Sequence, residues 1–182
     1  THGKITVGGH PMHSGLLSQT VSVLNQKPHL FNTTIENNIR IGNPHASDEA
    51  IQNVIEQAQL TELIDSLPNG LQTSVEELGN RFSGGERQRI AFARVLLQNT
   101  PIILVDEATI GLDPQTEREL LETVFKATTN KTVIWVTHHL AGAHMMDEIL
   151  FLRHGNIYIH GSHTELLLTS DYYKKLYAMD IG

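Results

Sequence analysis

The 182-residue chain carries 13 Lys+Arg against 20 Asp+Glu, a formal net charge of −7, and 40% of its residues are hydrophobic. That length and balance suit a globular domain with a real core, and the acidic excess argues against broad electrostatic binding to nucleic acid. With no cysteine, disulfides, thiolate metal sites and cysteine nucleophiles are excluded, and no apolar run approaches the roughly 20 residues that span a bilayer.

Ile5, Thr6 and Val7 precede Gly8-Gly9 and read as a strand entering a turn. Residues 21–24 form a short strand candidate that ends near Asn25-Gln26. From 47 to 59 the apolar residues Ala50, Ile51, Val54, Ile55 and Ala58 recur at helical spacing, with Ser47 as N-cap. A shorter helix covers 61–66 and stops before Pro68-Asn69-Gly70, a turn signal. Residues 86–98 are rich in helix formers, and 102–105 are a continuous apolar run entered at Pro101. Residues 114–126 read as a helix with Asp113 at the N-cap and Pro114 at the first helical position. Residues 132–136 are a second β-branched run, 149–152 and 157–159 flank the turn His154-Gly155-Asn156, and short helices follow at about 164–168 and 172–179. Apolar strands alternating with helices predict a parallel α/β sheet. In it the strand 102–105 is expected to be buried on both faces, and the helical stretch before Gly84 to be an inserted subdomain.

Two stretches carry chemistry. Asp106 and Glu107 leave an apolar strand at its carboxyl end, where ligands collect in parallel sheets. One carboxylate there suits Mg²⁺, and a second can orient a water for attack on phosphorus; read alone, they are also two acidic residues entering a loop. Ser83-Gly84-Gly85-Glu86 fits a capping box. Its two glycines also bare successive N–H groups at the positive end of a helix dipole, which makes an anion site. The 11 histidines are scattered, with no His-Glu-x-x-His spacing.

The order of these stretches resembles the nucleotide-binding domain of ATP-binding-cassette (ABC) ATPases. "FSGGERQR" resembles the family signature, "IILVDEAT" the Walker B strand, "GLD" at 111–113 the D-loop, "VLNQ" the Q-loop ending in Gln26, and "WVTHHL" the switch region with His138. The resemblance implies an α/β, P-loop NTPase fold of the ABC-ATPase type: a parallel-sheet RecA-like core plus a helical signature subdomain over about residues 30–98, with 99–182 the C-terminal part of the core. It further implies ATP and Mg²⁺ as cofactors. Asp106 would bind Mg²⁺ through water, Glu107 would be the general base, and His138 would contact the γ-phosphate. Gln26 would sense Mg²⁺ and γ-phosphate and link the site to a membrane domain. Ser83, Gly84, Gly85 and Glu86 would reach a nucleotide held by a second such domain, in a homo- or heterodimer, with Asp113 across that interface.

"TSVEELGNRFSGGERQR", "HLFNTTIENNI" and "GSHTELL" resemble exporter-type transporters, with Thr73, Val75, Glu77 and Gly79 on the exporter pattern and Glu76 replacing its usual glycine. Within exporters the signature resembles heterodimeric thiol-reductant exporters tied to cytochrome bd assembly. The implied partners are a second nucleotide-binding domain and a transmembrane domain, not nucleic acid, at the cytoplasmic face of the membrane. The alternatives are a soluble cassette ATPase of DNA repair or translation, and a non-catalytic regulatory module. Phe82, Glu86 and Ile110-Gly111 depart from the usual leucine, glutamine and Ser-Ala, and Glu86 places a negative charge near a bound phosphate. No Gly-x-x-x-x-Gly-Lys-Ser/Thr loop occurs. The chain is therefore expected to start downstream of that loop, to expose an edge or gap in its sheet, and by itself to be inactive.

Overall fold

Local signals account for most elements of the computed structural model, which describes residues 3–12, 14–75 and 82–181. The chain divides into two compact units, Thr1–Val136 and Thr137–Gly182.

In the first unit, Thr6–Val7 (β1) and His10–Pro11 (β2) form an antiparallel hairpin. Helix α1 (Ser14–Thr20) leads into β3 (Val21–Asn25). Helices α2 (Ile35–Arg40), α3 (Asp48–Gln57) and α4 (Thr61–Ser66) come next, and then the long helix α5 (Gly84–Gln98). Strand β4 (Ile102–Asp106), helix α6 (Pro114–Ala127) and strand β5 (Thr132–Val136) complete the unit. The sheet is parallel, in the order β3-β4-β5, as the alternation of strands and helices predicts.

Three of the caps are those read from the sequence. Ser47 accepts from the Ala50 N–H at the start of α3. Ser83 and Glu86 form a reciprocal capping box on α5, and Asp113 with Pro114 opens α6. Each satisfies N–H groups that a helix start leaves without intrahelical acceptors. Helix α5 is the pillar of the core: Ile90, Phe92 and Ala93 are fully buried, and α2, α3, α6 and β3 all pack on it. Phe125 of α6 stacks on Trp135 of β5 with ring centroids 5.7 Å apart.

Two helices went unread in the sequence. α1 is seven residues long, with Leu16 and Leu17 exposed, so it lacks a buried apolar stripe. α2 is six residues with two asparagines, too short and too weak in propensity to form alone. Tertiary bonds hold it. Asn38 is fully buried; its side chain accepts from the Phe31 N–H at 2.8 Å and donates to the Phe31 carbonyl at 3.0 Å. Arg94 of α5 donates to the Asn38 carbonyl at 2.9 Å and to the His29 carbonyl at 3.0 Å.

The expectation that the strand 102–105 is buried on both faces is corrected. Register puts Leu24, Val105 and Trp135 in one row and Val23, Leu104 and Ile134 in the next. The first row faces the core, with Leu24 and Val105 at 1% and 0% exposure. In the second, Val23 and Ile134 are 43% and 51% exposed.

In the second unit, Ile149–Arg153 (β6) and Asn156–Gly161 (β7) pair as a hairpin. His154 and Gly155, at φ 50° and 76°, supply the successive positive φ values of a hairpin turn matched to strand twist. Helix α7 (His163–Thr169) starts on a second capping box, Ser162 with Glu165, and helix α8 (Asp171–Ile181) follows. Its Tyr173 is fully buried, and the Tyr173 hydroxyl lies 2.7 Å from His163 Nδ1.

Candidate functional site

Parallel register sets Asn25, Asp106 and Val136 side by side at the carboxyl ends of β3, β4 and β5. Gln26 follows the first strand and Glu107 the second, so the glutamine and the acidic pair share the sheet edge where α/β folds collect ligands. Asp106 is exposed; Gln26 and Glu107 are half-buried. Glu107 has φ 49°, uncommon outside glycine, and its N–H donates to the Val136 carbonyl at 2.9 Å. That bond continues the β4–β5 ladder by one residue while the left-handed turn carries the chain out of the sheet. Hydrogen bonds from Ile110 N–H to the Glu107 carbonyl and from Leu112 N–H to the Thr109 carbonyl, both 3.1 Å, tighten the loop that ends at Asp113.

Asp113 is fully engaged as a cap. One carboxylate oxygen accepts from the N–H groups of Gln115 and Thr116 at 3.1 Å, and the other accepts from the Thr116 hydroxyl at 2.5 Å. The Thr116 hydroxyl, and then the backbone amides, hold its carboxyl below the usual carboxylate range.

The signature turn also does two jobs. The Ser83 hydroxyl accepts from the Glu86 N–H at 3.2 Å, and Glu86 accepts from the Ser83 N–H at 2.6 Å. Gly84 and Gly85 take the first two helical positions, whose N–H groups have no intrahelical acceptor, at the positive end of a 15-residue helix. Packing also favours glycine here, most firmly at Gly85. A Cβ on Gly85 would stand 2.5 Å from Thr116 Cγ2, and one on Gly84 would stand 3.0 Å from Leu112 Cδ2. The start of α5 and the Asp113 cap of α6 are thus in direct contact.

Gln88 is the residue that sequence reasoning missed. It is 3% exposed, and its amide donates to the carbonyls of Gln26 at 2.7 Å and Asn25 at 3.2 Å. Its Oε1 is buried with no partner among the described residues. The available signal was helical spacing, because Gly85, Gln88 and Phe92 all fall on the buried side of α5. The polar run Glu-Arg-Gln-Arg masked it. Through Gln88, the helix that begins at the signature grips the backbone of the glutamine beside Asp106.

His138 belongs to the second unit and is exposed, its ring centroid 4.5 Å from that of His139. Of the exporter-like stretch, Thr73 and Val75 are buried, and the Thr73 carbonyl accepts from the Ile35 N–H at 3.0 Å. Glu76, Glu77 and Gly79 lie outside the described residues. Among the described residues no group of three or more His, Asp or Glu side chains comes together to hold a metal ion. The exposed Asp106 carboxylate is a single hard-oxygen ligand, a donor set that fits Mg²⁺ completed by water and phosphate oxygens. Among the described residues no helix is long and apolar enough to cross a membrane.

A family model described as "ABC transporter" matches residues 1–110. The chain is 54% identical to the glutathione/L-cysteine transport system ATP-binding/permease protein CydD of Bacillus subtilis, over 98% of this chain and 32% of that protein. It is 38% identical to the CydC protein of the same description from Escherichia coli, over 91% and 29% respectively. It is 39% identical to an ATP-dependent lipid A-core flippase of Saccharophagus degradans, over 96% and 30%. A solved bacterial Atm1-family ABC exporter with ATP bound superposes with a TM-score of 0.90 at 34% identity, over all of this chain and 32% of that one. The chain spans about a third of the length of the relatives it matches.

Proposed function

The chain belongs to the ABC transporter family, and on that premise we propose that it is part of the ATP-binding and ATP-hydrolysing domain of an exporter. The observation that carries this reading is the shared edge of β3 and β4. There Gln26, Asp106 and Glu107 lie together, and α5, which starts at the signature, is bonded to that edge through Gln88. Its relatives named as a transport system and a flippase support the exporter type over a soluble cassette ATPase. The division into a helical subdomain at about 30–98 and a core part at 99–182 belongs to the same proposal.

When bound, Mg-ATP supplies the phosphorus centre and the charge neutralisation that phosphoryl transfer needs. Asp106 would hold the ion, and Glu107 would accept a proton from the attacking water. Gln26 orients polar groups at the same edge. His138 takes the γ-phosphate contact, a role that rests on its motif. Ser83, Gly84 and Gly85 present N–H and hydroxyl groups to a nucleotide held by a second nucleotide-binding domain, and Asp113 stands at that interface. A transmembrane domain is the second partner, which places the chain at the cytoplasmic face of a membrane.

The test is Glu107→Gln in the complete polypeptide. ATP binding is retained, and turnover at that site falls by about 10² or more, the scale of a lost general base. Near-normal turnover with a partner site silenced would remove Glu107 as the base.

A further inference from the structure

We propose that Asp180, in the last turn of α8, is a positioning residue for the loop that carries His138; this rests on the ATPase reading above. After β5 ends, residues 137–140 belong to neither strand nor helix, so their backbone donors need acceptors from elsewhere. Two side chains provide them. The His139 N–H donates to the Thr137 hydroxyl at 3.0 Å, and the Leu140 N–H donates to Asp180 Oδ2 at 2.5 Å across 40 residues of chain. The other oxygen, Asp180 Oδ1, lies 3.4 Å from His139 Nδ1. One carboxylate therefore grips both the backbone and the side chain of the two residues that follow His138. On its other side Leu140 is held too, its carbonyl accepting from the Ala143 N–H at 2.9 Å.

The place of Asp180 in its helix argues for a dedicated contact. A negative charge in the last turn opposes the helix dipole, and α8 has no basic residue there to offset it. The Asp180 side chain is only 23% exposed, so water does not fully solvate the charge. A charge-assisted bond to a backbone N–H offsets that cost. The partly exposed His139 contact by itself contributes little. The bond to Leu140 is the one that sets the direction of the chain, because it immobilises the peptide unit just after His139. Asp180 touches no reacting group and acts through His138.

In the complete polypeptide, Asp180→Ala is expected to lower kcat for ATP about tenfold or more, the scale of a charged hydrogen bond, with KM for ATP changed less than about twofold. Asp180→Asn keeps an acceptor oxygen for the Leu140 N–H, and is expected to hold kcat within about threefold of the parent, a deficit smaller than loss of the whole bond. Amide hydrogen exchange at Leu140 should accelerate in Asp180→Ala and stay slow in Asp180→Asn. An unchanged kcat in Asp180→Ala, a parallel loss of kcat and ATP affinity, or an Asp180→Asn variant as slow as Asp180→Ala overturns the proposal. If Asp180→Ala does not fold, Asp180→Asn carries the test: slow Leu140 exchange with near-parental kcat supports it, and a lost kcat overturns it. Turnover of the parent and of Glu107→Gln separates the levels. Absence of ATP turnover in the parent polypeptide refutes the ATPase reading itself, whereas turnover indifferent to Glu107→Gln removes only Glu107 as the base. Turnover abolished by Glu107→Gln but indifferent to Asp180→Ala refutes the positioning role alone.

Discussion

Replacing Gly85 with alanine puts a methyl carbon 2.5 Å from Thr116 Cγ2. Ordinary carbon contacts lie at about 3.5–4.0 Å, so either α5 and the start of α6 part locally by about 1 Å, or Thr116 rotates. Rotation is opposed, because the Thr116 hydroxyl is bonded to Asp113 Oδ2 at 2.5 Å. Overpacking of this kind costs about 1–3 kcal/mol, and the better helix propensity of alanine returns at most about 1 kcal/mol. The net expectation is a loss of about 1–2 kcal/mol, read as a lower urea midpoint at unchanged m-value. Thr116→Ser removes Cγ2 and keeps the hydroxyl that bonds Asp113. The double variant Gly85→Ala/Thr116→Ser should therefore recover at least half of the loss, a coupling of about 1 kcal/mol. An unchanged midpoint in Gly85→Ala, or strictly additive effects in the double variant, would refute the contact as the reason for this glycine.

Gln88→Leu leaves the carbonyls of Gln26 and Asn25 without their donor and should destabilise the fold by about 1–3 kcal/mol; a loss below about 0.5 kcal/mol, the size of an ordinary surface change, would show that the clamp contributes nothing. Burial, and then the neighbouring His144, hold His163 below the ordinary histidine pKa. The unfolded chain therefore takes up this proton more readily than the fold does. This group's contribution is complete above about pH 6.5 and is lost as pH falls below that value. Melting temperature followed across pH 7 to 5 should show a shallower acid slope in His163→Asn, and an identical slope would contradict the assignment. Because the sequence holds no Gly-x-x-x-x-Gly-Lys-Ser/Thr loop, the 182-residue chain alone is expected to bind Mg-ATP no more tightly than about 1 mM, or about −4 kcal/mol. Micromolar binding by calorimetry would show that its carboxylates and signature turn suffice without a phosphate cradle.

What could be read from the sequence is what is encoded over a few neighbouring residues. Ser47, the Ser83–Glu86 box and the Asp113-Pro114 start all make bonds within four positions, so the residue types announce them. The runs that became β3, β4 and β5, and hence a parallel sheet with Asp106 and Glu107 at its carboxyl edge, were equally legible from period and composition. So was the order of motifs that identified the family. The tertiary structure decided what depends on distant partners. Helix α2 exists because Arg94, 56 residues on, bonds Asn38, not because Ile-Glu-Asn-Asn-Ile-Arg is a good helix. Gln88 reaches back 62 residues to Gln26, and Asp180 reaches back 40 to Leu140. An exposed edge or gap in the sheet was expected from the absent phosphate loop, but that the bare part is the face bearing Val23 and Ile134, as apolar in sequence as the covered face, was decided by the tertiary structure. Local propensity cannot report such features, because their free energy comes from desolvation and hydrogen bonds formed only when the chain closes long loops on itself.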